Sequence, residues 1–167
     1  LAGPNRPLES RKMETNGDNL GDPVVVIGAA CLDVKCRLRG DVLAGTSNSA
    51  DVRISVGGCA RNMAENLARL GFPTLLLTVA CADDFGRTIV RQTADAGVNT
   101  DYVLQLCDHH SPAYIALLSP TGQLITGVDD TEAVVALTPG VILEQRALLE
   151  QAPMVVMDAN VPIETAQ

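Results

Sequence analysis

The chain has 167 residues, 47% hydrophobic and 19% charged, the length and balance of one globular domain. Twelve basic against twenty acidic residues give a formal charge of −8, which argues against a phosphate-backbone surface, and no Trp, two Tyr and two Phe are too few for base stacking along a strand. No apolar run reaches the roughly 18 to 20 residues that cross a bilayer, so neither nucleic acid nor membrane is an expected partner.

Residues 1–22 are rich in Pro, Asn, Gly and charge without apolar period, as in a tail or an interdomain linker. They lack the basic start, apolar core and small-residue cleavage site of a secretory signal. The five cysteines, Cys31, Cys36, Cys59, Cys81 and Cys107, form no CxxC pair and no metal-ligand spacing. Free thiols in a reducing, cytoplasmic setting are the expectation, with no metal site.

Order begins at Pro23. Val24 to Ile27 is a β-branched run ending at Gly28, the pattern of a central strand that opens into a loop. Leu32 to Leu38 and Asp51 to Val56 alternate and predict two exposed strands around a small, polar loop. Gly57 and Gly58 then break the chain before the strongest helical pattern, Ala60 to Leu70. Its apolar side is Ala60, Met63, Ala64, Leu67, Ala68 and Leu70, and Gly71 is the stop. Thr74 to Val79 predicts a buried strand, Asp83 to Gly86 a turn, and Thr88 to Ala96 a helix closed by Gly97. Val98 to Leu106 returns toward a sheet. Ala113 to Leu118 and Gln123 to Val128 flank a Ser-Pro-Thr-Gly turn and predict a hairpin. A helix over residues 140–151, with Pro139 at its first turn, leads to a last strand, Met154 to Met157.

Strands alternating with helices, with exposed strand pairs inserted, predict an α/β domain with a parallel sheet and a small antiparallel appendage. Ligands in such folds sit at the carboxyl ends of parallel strands. That rule makes residues 28–33, 81–84 and 158–160 the rims of one site. The last strand stands close to the end of the sequence with its edge uncovered, as in an interrupted sheet.

Gly57 and Gly58 allow close approach of the backbone to a ligand, and the first-turn N–H groups of the following helix are natural donors to its oxygens. The same residues also suit an ordinary strand-to-helix turn. Neither a P-loop nor a dinucleotide GxGxxG spacing is present. Asn62 both donates and accepts, which suits a vicinal diol. Asp33, just beyond the first strand, offers charge-assisted bonds to adjacent hydroxyls, each worth about 1.5–3 kcal/mol; a turn-stabilising role is its alternative. Arg61 is either a ligand donor or a surface arginine. Asp83 and Asp84 read as a helix start, and His109 and His110 as a polar turn without a matched Asp or Cys. Tyr114 lies on a hairpin face that either closes over a ligand or packs onto the main domain.

From about Val24 to Glu164 this arrangement resembles the ribokinase or PfkB-type carbohydrate kinases. The resemblance is carried by the strand ending in Gly28, Asp33, the pair Gly57 and Gly58, Asn62 and the phrase ARNMAENLARLG over residues 60–71. The turn Asp83 to Gly86 and the segment Asp158, Ala159, Asn160 complete it. Ala-Arg-Asn followed by Glu65, Asn66 and Leu67 points to the branch acting on pseudouridine. The resemblance implies a partial three-layer α/β/α domain over residues 23–167, with lid strands within about 35–56 and 112–128. It implies that Asp33 and Asn62 hold ribose hydroxyls, that Gly57 and Gly58 let the backbone meet the sugar, and that Tyr114 and Asn160 complete the substrate site. Asn160 falls where ribokinases carry a glutamate, a departure that favours a nucleoside over free ribose.

The family transfers the γ-phosphate of ATP, with Mg²⁺, to a primary hydroxyl, using an aspartate in a late Gly-Ala-Gly-Asp type motif. No such motif occurs in these residues, so no catalytic or cofactor-binding residue is assigned here and no phosphoryl transfer is expected of this chain alone. A ribokinase or adenosine-type kinase is the alternative within the enzyme class, and a non-catalytic sugar-binding or dimerisation module the alternative outside it. The lid is the expected homodimer contact, and the acidic head leaves room for an upstream fused domain.

Overall fold

The structure, a computed structural model, describes residues 21–167. The tail or linker expected over residues 1–22 lies, but for its last two positions, outside the described residues. In chain order the strands are β1 (Val24–Ile27), β2 (Cys31–Leu38), β3 (Ala50–Gly57), β4 (Thr74–Leu77), β5 (Val79–Cys81), β6 (Leu104–Leu106), β7 (Ala113–Leu118), β8 (Leu124–Asp130) and β9 (Val155–Met157). The helices are α1 (Cys59–Arg69), α2 (Asp84–Asp95), α3 (Pro139–Leu143), α4 (Arg146–Gln151) and α5 (Ile163–Ala166), with a 3₁₀ turn at Glu132–Ala136.

β1 is the centre of a parallel sheet ordered β4-β1-β9. Successive side chains of a strand point to opposite faces, and β1 divides accordingly. Val24 and Val26 join Ala60 and Ala64 of α1 and Ile89 of α2 in one core. Val25 and Ile27 join Ala133, Val134, Leu137 and Ile142 in a second core on the other side. Helical layers on both faces explain why the run is apolar throughout rather than alternating.

The lid is a second sheet, ordered β3-β2-β7-β8. The expected antiparallel pairs β2/β3 and β7/β8 are present, and a parallel ladder between β2 and β7 joins them. Its register sets two unlike rows side by side. Ser55, Asp33, Tyr114 and Asp129 lie opposite one another across the four strands, and so do their chain neighbours Ile54, Val34, Ile115 and Val128. Laterally paired residues share a face and chain neighbours do not, so one face carries the polar row and the other the apolar row.

Four details depart from expectation. The strand over residues 74–79 divides at Thr78, after which β5 pairs with β6 in a separate ladder. The helix over 140–151 is two helices: the Gln145 amide bonds the Ile142 carbonyl three residues back, a tightening that ends α3. Leu70 does not pack; it is the exposed C-cap of α1, and Gly71 follows with φ of +88°. Arg61 is buried rather than on the surface.

Candidate functional site

The site begins where β1 ends. Gly28 has φ of +143°, and a Cβ there would lie 2.4 Å from the carboxyl group of Asp158. That carboxyl group is a junction. Its Oδ2 accepts from the Ala29 and Ala60 amides, each at 2.9 Å, and its Oδ1 accepts from the Asn160 amide at 2.8 Å. The Asp158 amide in turn donates to Ile27 O. One side chain thus ties together the ends of β1 and β9 and the start of α1.

The glycine pair fits the chain against itself. A Cβ on Gly58, at φ +98°, would meet the Ala29 carbonyl oxygen at 2.4 Å, and one on Gly57 would meet the Asp33 carboxylate at 2.5 Å. The expectation that the first-turn amides of α1 stand open to a ligand is corrected at two of them. Ala60 donates to Asp158 and Arg61 to Ala29 O, while the Asn62 amide makes the ordinary helical bond to Gly58 O. An internal carboxylate takes the place an anion would occupy at this helix end.

Asp33 is largely covered, with Lys35 Nζ 3.3 Å from its Oδ2 and the Cys31 thiol donating to its Oδ1 at 3.2 Å. Burial, and then this hydrogen bond to a carboxylate, push the Cys31 thiol up to about 12, because both disfavour a second negative charge. Asn62, in the first turn of α1, is exposed, and its Oδ1 accepts from Arg61. Arg61 itself donates to Val56 O and Thr93 Oγ1 and pairs with Glu65 one turn on. It therefore holds α1 against β3 and α2 and is not a free ligand donor. The i,i+4 spacing of Arg61 and Glu65 was the available sequence signal.

Tyr114 faces the same side of the lid as Asp33, its strand partner. Its phenol end lies over Gly127, where a Cβ would come within 2.5 Å of the hydroxyl. Asn160 is exposed just past β9, two residues beyond Asp158. Asp33, Gly57, Gly58 and Asn62 therefore gather around the end of β1, with Asn160 reached through Asp158 and Tyr114 through the lid.

The third expected rim goes elsewhere. Asp83 caps α2 at the Gly86 amide and accepts from both the amide and hydroxyl of Ser111, at 2.8 and 2.7 Å. Partial burial raises its carboxyl pKa, and the bonds from Ser111 and Gly86 outweigh that and hold it below the usual carboxylate range. A cavity of about 340 Å³ opens beside it, lined by Asp84, Phe85, His110 and Asp130 among others; Asp33 and Asn62 are not among its walls. His109, expected to have no acid partner, has Asp108 Oδ1 2.8 Å from its Nδ1. Among the described residues no three His, Cys, Asp or Glu side chains gather as a metal site.

Known proteins share this fold. The pfkB family carbohydrate kinase profile matches residues 22–167. The chain is 30% identical over 143 residues to the pseudouridine kinase of Escherichia coli K12, covering 86% of this chain and 46% of that protein. It is 25% identical to the guanosine-inosine kinase of Exiguobacterium acetylicum, covering 84% and 46%. A solved carbohydrate kinase from Agrobacterium tumefaciens superposes with a TM-score of 0.76 at 28% identity, over 86% of this chain and 47% of that one. The chain spans about half the length of the curated relatives it matches.

Proposed function

The chain belongs to the pfkB family of carbohydrate kinases, and on that premise we propose that it is the substrate-binding portion of an ATP-dependent nucleoside or sugar kinase. The whole protein would phosphorylate the 5′ hydroxyl of pseudouridine. The observation that carries this reading is the placement of Asp33 against Gly57, whose neighbour Gly58 opens the helix that carries Asn62 one turn on. A carboxylate acceptor and a side-chain amide that both donates and accepts match the two hydroxyls of a ribose. Substrate-binding roles are assigned to Asp33, Gly57, Gly58, Asn62, Tyr114 and Asn160. ATP and Mg²⁺ belong to the whole protein, since these residues contain no Gly-Ala-Gly-Asp motif. Five unpaired thiols support a cytoplasmic setting.

A second role is favoured by the apolar row of the lid. Val52, Ile54, Ile115 and Val128 are exposed on one face of the sheet, which suits a homodimer contact between two lids.

Isothermal titration of the purified chain with pseudouridine, uridine and ribose, followed by ATP, tests the reading. Heat with pseudouridine ahead of ribose, and none with ATP, is the expected result. Ribose preferred over pseudouridine would favour the ribokinase alternative. Binding of ATP would overturn the assignment of the nucleotide to the rest of the protein.

A further inference from the structure

The polar row of the lid continues past Asp33. Tyr114 is the residue paired with Asp33 on β7, and Asp129 is the residue paired with Tyr114 on β8. Strands in a sheet stand about 4.8 Å apart, so the row extends about 10 Å from the sugar carboxylate across two strands. That is the reach of a heterocycle attached to a ribose, not of a ribose alone.

The two residues beyond Asp33 differ from it in ways that suit a base. Tyr114 is half-buried, and its phenol end rests in the space left by the missing side chain of Gly127. A larger residue at 127 would collide with the ring; glycine leaves room for its phenol end to reach across to β8. Asp129 is exposed, and its partner among the described residues is the Thr131 hydroxyl at 3.5 Å, too long to be a strong bond. Asp33, by contrast, is already engaged by Lys35 and Cys31. An ionised carboxylate only accepts hydrogen bonds, so what Asp129 selects is a donor.

We propose that Tyr114 and Asp129 form a base-reading shelf, in which the Tyr114 ring stacks a planar heterocycle and the Asp129 carboxylate accepts a ring N–H from it. A pyrimidine joined to ribose through carbon suits the shelf, because carbon linkage leaves both ring nitrogens carrying protons. This rests on the reading of Asp33 and Asn62 as the sugar site and adds the residue that distinguishes a nucleoside from a sugar.

The test is titration of the chain and of its Asp129→Ala and Asp129→Asn variants with pseudouridine and with ribose, with the melting midpoint as a check on folding. Asp129 lies on an exposed edge strand, so the variants are expected to melt as the parent does. Asp129→Ala should weaken pseudouridine about tenfold or more, the scale of a hydrogen bond to a charged group, and leave ribose unchanged. Asp129→Asn, which keeps one acceptor oxygen, should recover part of the loss. Equal weakening of both ligands, or of neither, overturns the shelf while leaving the sugar site standing. Absence of binding of both ligands to the parent chain overturns the sugar site and the shelf together.

Discussion

In the sheet around β1 every residue of that strand is buried, whereas in the lid every residue of β8 is exposed and β3 is buried only at its last two positions. The first sheet is held from both sides by helical layers, and the second is largely one strand-layer thick. The two meet at the root of β2 and β3, where Cys31, Leu32, Val56 and Gly57 are buried and Asp33 begins the polar row. A side chain in the first sheet is judged by what it fills. A side chain in the lid is free to be judged by what it binds. The candidate substrate residues lie at the junction, with a rigid floor on one side and an open surface on the other.

The largest effect expected from that contrast is in the floor. Leu76 is fully buried between α1 and the sheet, so Leu76→Ala should cost about 2–5 kcal/mol in urea unfolding, transfer and cavity together. Ile54→Asp on the lid's apolar face should leave the unfolding midpoint nearly unchanged and convert a dimer to a monomer by light scattering. Similar losses of stability from both would break the contrast, and a monomeric parent chain would remove the lid contact. Next in size is the junction. Asp158→Ala leaves the Ala29 and Ala60 amides without their acceptor, at a cost of about 1–3 kcal/mol. Amide exchange should quicken at Ala29 and Ala60 but not along β7 and β8; continued protection of Ala60 would mean that something other than Asp158 holds the start of α1.

Much of the fold was legible because its signals are local. The β-branched run of β1, the 3.6-residue period of α1 and the alternation in β2 and β3 each identify an element within a dozen residues. The family resemblance rested on several short segments, residues 57–71 foremost, with Asp33, the turn Asp83 to Gly86 and residues 158–160 beside them. What was not legible is long-range. Asp158 and Ala29 are 129 residues apart, and no pattern along the chain announces that a carboxylate will occupy the helix end that seemed open to a ligand. The strand-end rule brought residues 28–33 and 158–160 to one rim, and Gly28, a glycine after a buried strand, hinted that some side chain approaches closely. Arg61 misled for the related reason that a charged residue reads as surface until its partners are known, here Val56, Thr93 and Glu65. The break between α3 and α4 lies in an unremarkable Leu-Glu-Gln stretch, where packing and not propensity decides.

A smaller effect separates the two regions by pH. Asp83 fixes α2 of the main domain to Ser111 at the start of the lid hairpin, and its carboxyl is held below the ordinary range in the folded chain. A group with a depressed folded pKa stabilises above its unfolded value, near 3.9, and loses that contribution as pH falls through the folded value. Asp83→Asn should therefore be less stable than the parent at pH 7, and the gap should narrow as pH drops below about 4. A gap that stays constant down to pH 3 would show that the carboxylate charge is not what latches the hairpin.

The smallest effect is chemical and reads the junction directly. Alkylation depends on the thiolate. Cys31, buried and raised to about 12, should resist iodoacetamide at pH 8, while Cys59 and Cys107, which are exposed, should react first, as mass spectrometry of the digested protein would report. Because burial is the larger cause and the Asp33 hydrogen bond the next, Asp33→Asn should speed labelling of Cys31 only slightly. A large acceleration would mean instead that the carboxylate was shielding the thiol and that the root of the lid opens readily once the charge is gone. The floor and lid would then be joined less firmly than the buried residues of β2 and β3 require, and Asp33 would be holding the site closed as well as lining it.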